Sequence, residues 1–368
     1  MISTGCDKVP RVAFIRRGGL LFSILLLIAF LTTRCVPALS TAPTGSREST
    51  VPFITSVDTM KESKDTARAQ LTDAQIQATI ARAAALNAEY IAVSTDWDFT
   101  LDYLRRWVTA TRAAKKHVWF RVHPAQWEND YDVGGVMTPD AYLTSLSTFI
   151  ASAPELFRAG DILDPCPEPE NGKYWLATYG GGWDLTAQRT AATDDYNRFI
   201  LDGTHVADTA LARAGVSGVT TTIRSTNGRI AASPAVLYPQ TTARLGRVTI
   251  DSFPVITSTE PATVAGALTA EIARVHAVHD LPVILGEFGY STHAAVDDAT
   301  QQAVLHAMLL SIDDIPYLRG SNYWVITGDA GVGSRLFASP DGGAGRPAAQ
   351  ELANFYRVRA IRSEDVAR

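Results

Sequence analysis

From Phe53 onward, short and nearly continuous apolar runs alternate with longer stretches in which apolar residues return every third or fourth position. The runs are FITSVD (53–58), YIAVST (90–95), HVWFRV (117–122), GDILD (160–164), GVTTTI (218–223), RVTIDSF (247–253), LPVILGEF (281–288) and SNYWVI (321–326). Strands that are apolar rather than alternating belong to a parallel sheet covered by helices on its faces. The intervening segments supply those helices. TDAQIQATIARAAALN and TVAGALTAEIARVHAV carry apolar residues at helical spacing, and TPDAYLTSLSTFI opens with a capping threonine followed by proline and aspartate.

Eight such units, their strands starting about 38 residues apart, predict an α/β fold: a single (β/α)8 TIM barrel over residues 53–360, with 361–368 as a C-terminal tail. The alternative, a doubly wound open sheet, favours a glycine-rich turn after the first strand, and VDTMKESKD has no glycine.

The N-terminal pattern is different in kind. Arg11, Arg16 and Arg17 precede GGLLFSILLLIAFLTT, an uncharged run closed by Arg34 and followed by the small residues of VPALSTA. A basic flank, a short apolar run and small residues predict an export signal in residues 1–40, cleaved near Ala38 to Ala42. A full membrane span needs about 20 apolar residues, so an uncleaved signal anchor, and with it a membrane tether, is the second reading. Cys35 does not make a lipoprotein signal, because Arg34 stands where a small residue is required. Residues 41–52 read as a flexible linker. The expected location is secreted or cell-surface. With Cys6 and Cys35 in the leader, the remainder keeps only Cys166, so no internal disulfide is available and the core must supply the stability.

Composition narrows the partners. The chain has 368 residues and a formal net charge of −5, which argues against a nucleic-acid surface, since that needs a basic excess. Active sites of such barrels form where strands end and loops begin. The residues at those places include Asp58, Asp96, Trp97, Asp98, His123, Trp127, Glu168, Glu170, Arg224, Asp251, Glu287 and Trp324. Carboxylates and tryptophans dominate; lysines, thiols and clustered histidines do not, so neither a metal nor another cofactor is called for. A first strand without His-x-His argues against metal-dependent hydrolases, and a Schiff-base aldolase lacks an obvious strand-end lysine. Two carboxylates on opposing strands can act at an acetal carbon, one as acid for the leaving oxygen and one as anion. Tryptophans offer flat platforms to the C–H faces of sugars.

Glu168-Pro169 after the fourth run and GEFG (286–289) at the end of the seventh resemble clan A of the retaining glycoside hydrolases, the cellulase-like TIM-barrel glycosidases. The resemblance implies Glu168 as acid/base, Glu287 as nucleophile and Trp324 as the floor of a sugar subsite. Two departures stand out. The clan has Asn, which usually holds the sugar 2-hydroxyl, before its Glu-Pro, and here Pro167 replaces it; either Asn171 substitutes or the substrate differs. The clan's strand-six tyrosine is also missing, Ser252-Phe253 following Asp251.

Several assignments have two readings. Glu170 rivals Glu168 as the acid, in a tract stiffened by Pro165, Pro167 and Pro169. Asp96, His123, Arg224 and Asp251 are expected to contact substrate, although Asp96 and Asp98 could cap a helix, His123 could be structural and Arg224 could orient Glu287 or pair elsewhere. Trp97 and the loop tryptophans Trp127, Trp175 and Trp183 are expected at the substrate; Trp107 and Trp119 are expected in the core, and Cys166 inert. The function expected is an exported retaining glycoside hydrolase on β-linked glycans or glycosides, the alternative a non-catalytic carbohydrate-binding barrel.

Overall fold

A computed structural model describes residues 52–368, apart from 65–68, 99, 129, 181–182, 184–188, 254–257, 291–295, 329–332, 342 and 368. The expected leader and linker lie outside the described residues, Pro52 excepted. Among the described residues no helix is long and apolar enough to cross a membrane.

Eight parallel strands form one sheet: β1 (Ile54–Asp58), β2 (Tyr90–Val93), β3 (His117–Phe120), β4 (Ile162–Leu163), β5 (Ser225–Asn227), β6 (Val248–Ser252), β7 (Val283–Phe288) and β8 (Leu318–Tyr323). Their order is 4-3-2-1-8-7-6-5. The two ends meet: Ile162 bridges Thr220, the Leu163 amide donates to the Thr220 carbonyl at 2.9 Å, and the Gly160 amide donates to the Gly218 carbonyl at 2.8 Å. The sheet is therefore drawn round into a (β/α)8 barrel, each strand followed by a helix: α1 (Asp73–Ala85), α2 (Leu101–Ala113), α3 (Pro139–Ser152), α4 (Ala191–Arg213), the short α5 (Pro239–Leu245), α6 (Pro261–His279), α7 (Asp298–Asp313) and α8 (Pro347–Ala367).

Helix starts follow the local chemistry. Thr72 and Gln75 form a capping box on α1, Thr138 caps α3 just ahead of Pro139, and Asp297 accepts from the Thr300 amide at the head of α7. The apolar stripes face inward as their spacing requires: Ile76, Ile80 and Ala83 on α1, and Val264, Leu268, Ile272 and Val275 on α6, are buried.

Two strands depart from the sequence pattern. The expected fifth strand, 218–223, is split: Gly218 and Thr220 bond towards β4, whereas the ladder with β6 begins at Ser225. The eighth starts three residues early at Leu318, where Gly320 leaves room for Ile54 of β1, and the apolar Trp324-Val325-Ile326 lies beyond its end.

Inside the barrel, Ala92, Trp119, Ile162, Ile223 and Ile284 pack together, with Ile54 and Tyr90 against them. Trp119 and Trp107 are core residues, as expected. Side chains alternate along a strand, so the residue two after Trp119 also points inward, one layer nearer the strand ends. That residue is Arg121.

Candidate active site

Arg121 is fully buried and organises the site. Its Nη2 donates to Glu287 Oε1 at 2.7 Å and to Asp251 Oδ2 at 3.0 Å. Nη1 donates to the Gly286 carbonyl at 2.7 Å, and Nε lies 3.6 Å from Asp58 Oδ2. Carboxylates from β1, β6 and β7 thus converge on one guanidinium from β3. Asn322 of β8 adds hydrogen bonds to Asp58 at 2.9 Å and to the Gly286 carbonyl at 2.8 Å. Gly286 is required by this crowding, since a Cβ there would collide with the Asp251 carboxylate. Asp251 and Glu287 are neighbours across the β6–β7 ladder, at a register irregularity that turns both towards the interior.

The acidic tract after β4 supplies the other side. Its prolines lack N–H groups, and the chain there has left the ladder, so other partners fix it. Glu168 adopts the left-handed region at φ 42°, and its amide donates to the Ser225 carbonyl at 3.0 Å. Tyr142 donates to the Pro165 carbonyl at 2.8 Å and the Trp175 indole to the Pro169 carbonyl at 2.7 Å. Asp164 accepts from both the amide and the hydroxyl of Ser225 at 2.8 Å. The two glutamates are then held very differently. Glu170 accepts from Tyr196 at 3.0 Å, Thr226 at 2.9 Å and the Asn227 amide at 2.5 Å. Glu168 accepts from Asn171 at 3.2 Å and turns towards the carboxylate group. One carboxylate oxygen each from Glu168, Asp251 and Glu287 lies within 4.8 Å of the others.

Burial pushes the Glu168 carboxyl well above the ordinary range; the charges of Asp251, Glu287 and Glu170 push the same way, with Arg121 opposing. Burial also raises Glu287, but there the strongest opposing influence is the Arg121 guanidinium, which it touches. Both carboxyls are thus raised well above the ordinary range, and what separates them is geometry: Arg121 bonds Glu287 and not Glu168, which favours Glu168 as the holder of a shared proton. Burial likewise raises Asp251 and Asp58, both opposed chiefly by Arg121.

Trp324, half-buried just past β8, is joined to Val325 by a cis peptide bond. Its ring meets Phe253 edge-on at 5.5 Å between centroids, and the Lys61 ammonium lies 5.8 Å from its centre. Asn171, exposed, sits against the Glu168 carboxylate. Of the sequence candidates, Glu168, Glu287, Asp251 and Asn171 are thus linked through mutual contacts or the carboxylate group, and Trp324 stands at the strand end next to β7.

Other candidates are placed elsewhere. Trp97 is buried, stacked on Phe149 at 4.9 Å with its indole donating to Ser145, so it packs under α3 rather than reaching substrate. Trp127 is buried and stacked on Phe199 at 5.0 Å, Trp175 is buried beside it, and Trp183 packs on Tyr196; these aromatics fill the space behind the Glu170 loop. Contrary to the expected substrate contact, the loops carrying Trp127, Trp175 and Trp183 fold back as a second layer of core. Arg224 points outward to α4, donating to the Ile200 carbonyl at 2.6 Å and to Thr204 at 3.2 Å, with Asp164 at 3.5 Å; it does not touch Glu287. Asp98 accepts from the Ala125 amide at 2.9 Å.

Asp96 and His123 belong to a separate charged cluster at the ends of β2 and β3. Lys64 Nζ lies 3.0 Å from His123 Nε2, 3.0 Å from Asp130 and 3.3 Å from Glu128, and Asp96 is 3.7 Å from His123. Asp96, His123 and Asp130 have metal-ligand spacing, but Lys64 already supplies the cation. Glu168, Asp251 and Glu287 have it too, and there Arg121 serves two of the three. Cys166 is buried and its thiol is pushed well above the usual range by that burial, which fits an inert role.

Arg121 is the residue that strand-end reasoning missed. Its signal was present: a lone arginine inside HVWFRV, in phase with the inward-facing Trp119.

No family model matches the sequence, and no curated protein matches it. Solved structures do resemble the fold. A GH5_18 from Bifidobacterium longum subsp. infantis aligns at a TM-score of 0.58 with 14% identity, covering 84% of this chain and 79% of that one. A GH5_18 from Streptomyces cattleya in complex with GlcNAc aligns at 0.59 with 15% identity, covering 84% and 80%. A β-glucuronidase from Ruminococcus gnavus aligns at 0.57 with 11% identity over 83% of this chain, which spans 50% of that longer one. The chain therefore shares its (β/α)8 fold with these glycoside hydrolase structures.

Proposed function

We propose that this chain is an exported retaining glycoside hydrolase acting on β-linked glycans or glycosides by double displacement. The observation that carries the reading is the approach of the Glu168 and Glu287 carboxylates, with oxygens within 4.8 Å, from β4 and β7. Retaining enzymes hold their carboxyl groups about 5–5.5 Å apart, whereas inverting enzymes need about 6.5–9.5 Å to admit a water.

Glu287, oriented by Arg121, attacks the anomeric carbon as the carboxylate; Glu168 passes its proton to the departing glycosidic oxygen as that bond breaks. Glu168, now a carboxylate, takes a proton from the incoming water, which displaces Glu287 and frees the sugar. Trp324 offers its face to the apolar side of the sugar. The Streptomyces cattleya neighbours hold GlcNAc and Manβ1-4GlcNAc, which supports a carbohydrate ligand. Export rests on the basic and apolar pattern of residues 11–42; exported protein should begin after about residue 38 by N-terminal sequencing, and retention of Met1 would support an anchor instead.

Pro167, which brings no side-chain donor where the clan has Asn, favours a second reading as a non-catalytic carbohydrate-binding barrel. The test is hydrolysis of a panel of aryl β-glycosides and polysaccharides, with the first-formed anomer read by NMR. Turnover with a β-configured first product is expected. Binding without turnover would favour the second reading, and an α-configured first product would overturn retention.

A further inference from the structure

Asp251 has no part in the two-glutamate scheme, yet it lies at the centre of the site. It is 2% exposed, so substrate reaches it poorly, and its carboxylate is already engaged by Arg121 at 3.0 and 3.4 Å. Arg121 Nη2 is shared between Asp251 and Glu287, and Asp251 comes within 4.8 Å of Glu168 as well.

We propose that Asp251 is a positioning residue of the reaction, fixing the Arg121 guanidinium against Glu287 and holding the site's proton on Glu168. This rests on the glycosidase reading and deepens it, assigning to Asp251 a role other than substrate contact. The argument is geometric. A guanidinium bonded to Glu287 alone could swing towards whichever anion was nearest; clamped by Asp251 on the adjacent strand, and by Asp58 and the Gly286 carbonyl below, it presents Nη2 to the nucleophile in one pose. The same clamp divides the positive charge between Glu287 and Asp251, so the guanidinium does not fully neutralise the nucleophile.

For Glu168 the effect is repulsive. The charged groups that face it are Asp251 from β6, Glu287 from β7, Glu170 from its own loop and Arg121 from β3, and Asp251 is the strongest of the anions. Arg121 touches Glu287 and Asp251, so Glu168 takes little of its charge. Two like charges at this separation do not both ionise readily, and the group without a cation keeps the proton. Around Asp251 itself stand Arg121, Ser225, Glu287 and, across the interior, Asp58.

The test is Asp251→Asn, which removes the charge at nearly constant volume, with Asp251→Ser as the second variant should the first fold poorly and Asp58→Asn as the control that removes another carboxylate from Arg121. The alkaline limb of kcat/KM against pH should move down by about one unit or more in the Asp251 variants, and by less in Asp58→Asn. The Glu168 side-chain carboxyl signal, assigned by its loss in Glu168→Gln, should titrate at correspondingly lower pH in carbon-13 NMR. An unmoved alkaline limb and an unmoved Glu168 titration would overturn the proposal, whatever the loss of rate. If the wild-type chain hydrolysed no glycoside, the glycosidase reading would fail by itself, and the NMR titration would still decide whether Asp251 governs the Glu168 proton.

Discussion

Two buried arginines, Arg121 and Arg224, stand on opposite sides of the same barrel wall and meet different company. Arg224 faces outward, where the Ile200 carbonyl, Thr204 and a single carboxylate, Asp164, receive it, and Gly203 of α4 leaves the space for its guanidinium. Arg121 faces inward and meets Asp58, Asp251 and Glu287 together. A cation matched to one carboxylate and two neutral acceptors is a strut between strand and helix. A cation outnumbered by buried carboxylates leaves negative charge and proton affinity over, and both are what acetal chemistry needs.

The sharpest way to break this contrast is at the group that Arg121 serves. Glu287→Ala should abolish turnover on every substrate, a loss of about 10⁴-fold or more in kcat, because no covalent intermediate can form. Substantial residual activity, equal on good and poor leaving groups, would remove Glu287 from the mechanism.

Next come the arginines themselves. Removing one partner of a buried ion pair costs about 3–5 kcal/mol, because a charge is stranded. Both Arg121→Met and Arg224→Met should therefore lower stability in denaturant titrations. Only Arg121→Met should also cut kcat of the folded protein, by about 10²–10³-fold, the scale expected for losing a preorganised donor at a reacting group. Equal kcat losses in the two variants would erase the distinction between strut and site.

The two glutamates of the acidic tract refine the comparison. Glu168→Ala should cost about 10²–10⁴-fold on glycosides with poor leaving groups and much less on an activated aryl glycoside that needs little proton assistance. Glu170→Ala should show no such dependence, since Glu170 is tied to Tyr196, Thr226 and Asn227. The reverse result would move the acid by two residues.

The barrel was legible because apolar runs and helical stripes report burial directly; seven of the eight expected strands overlap an observed one, and the fifth falls just after its expected run. Glu168 and Glu287 were legible because strand ends in this fold all open on one face. What failed was orientation. Whether a tryptophan after a strand faces substrate or a second aromatic layer depends on how the loop folds back, and Trp97 and Trp127 gave no local sign of their partners Phe149 and Phe199, which arrive from distant helices. Arg224 and Arg121 differ in the same way. Arg121 lies near the end of one β-type run and Arg224 directly after another, and only the alternation counted from Trp119 would have shown Arg121 to point inward.

The smallest expected effect concerns Glu170, whose carboxyl is raised from the ordinary 4.5 to about 7, first by burial and against the donors that hold it. A group raised in the folded state binds its proton more tightly there than in the unfolded chain. Its contribution to stability is therefore fully present below about pH 4.5 and is lost as the pH rises through about 7. At roughly 1.4 kcal/mol per pH unit, the loss across that window is at most about 3.5 kcal/mol. Glu170→Gln carries no charge at any pH and keeps an oxygen for the Thr226 hydroxyl and the Asn227 amide. Other buried carboxylates also titrate, but they do so in both proteins and largely cancel in the difference. Urea unfolding of the two proteins at a series of pH values should show the wild type falling relative to Glu170→Gln between pH 4.5 and 8. Parallel curves would mean that Glu170 is ionised throughout, and the carboxylate facing Asp251 and Glu287 would then have a charged neighbour on its own loop as well.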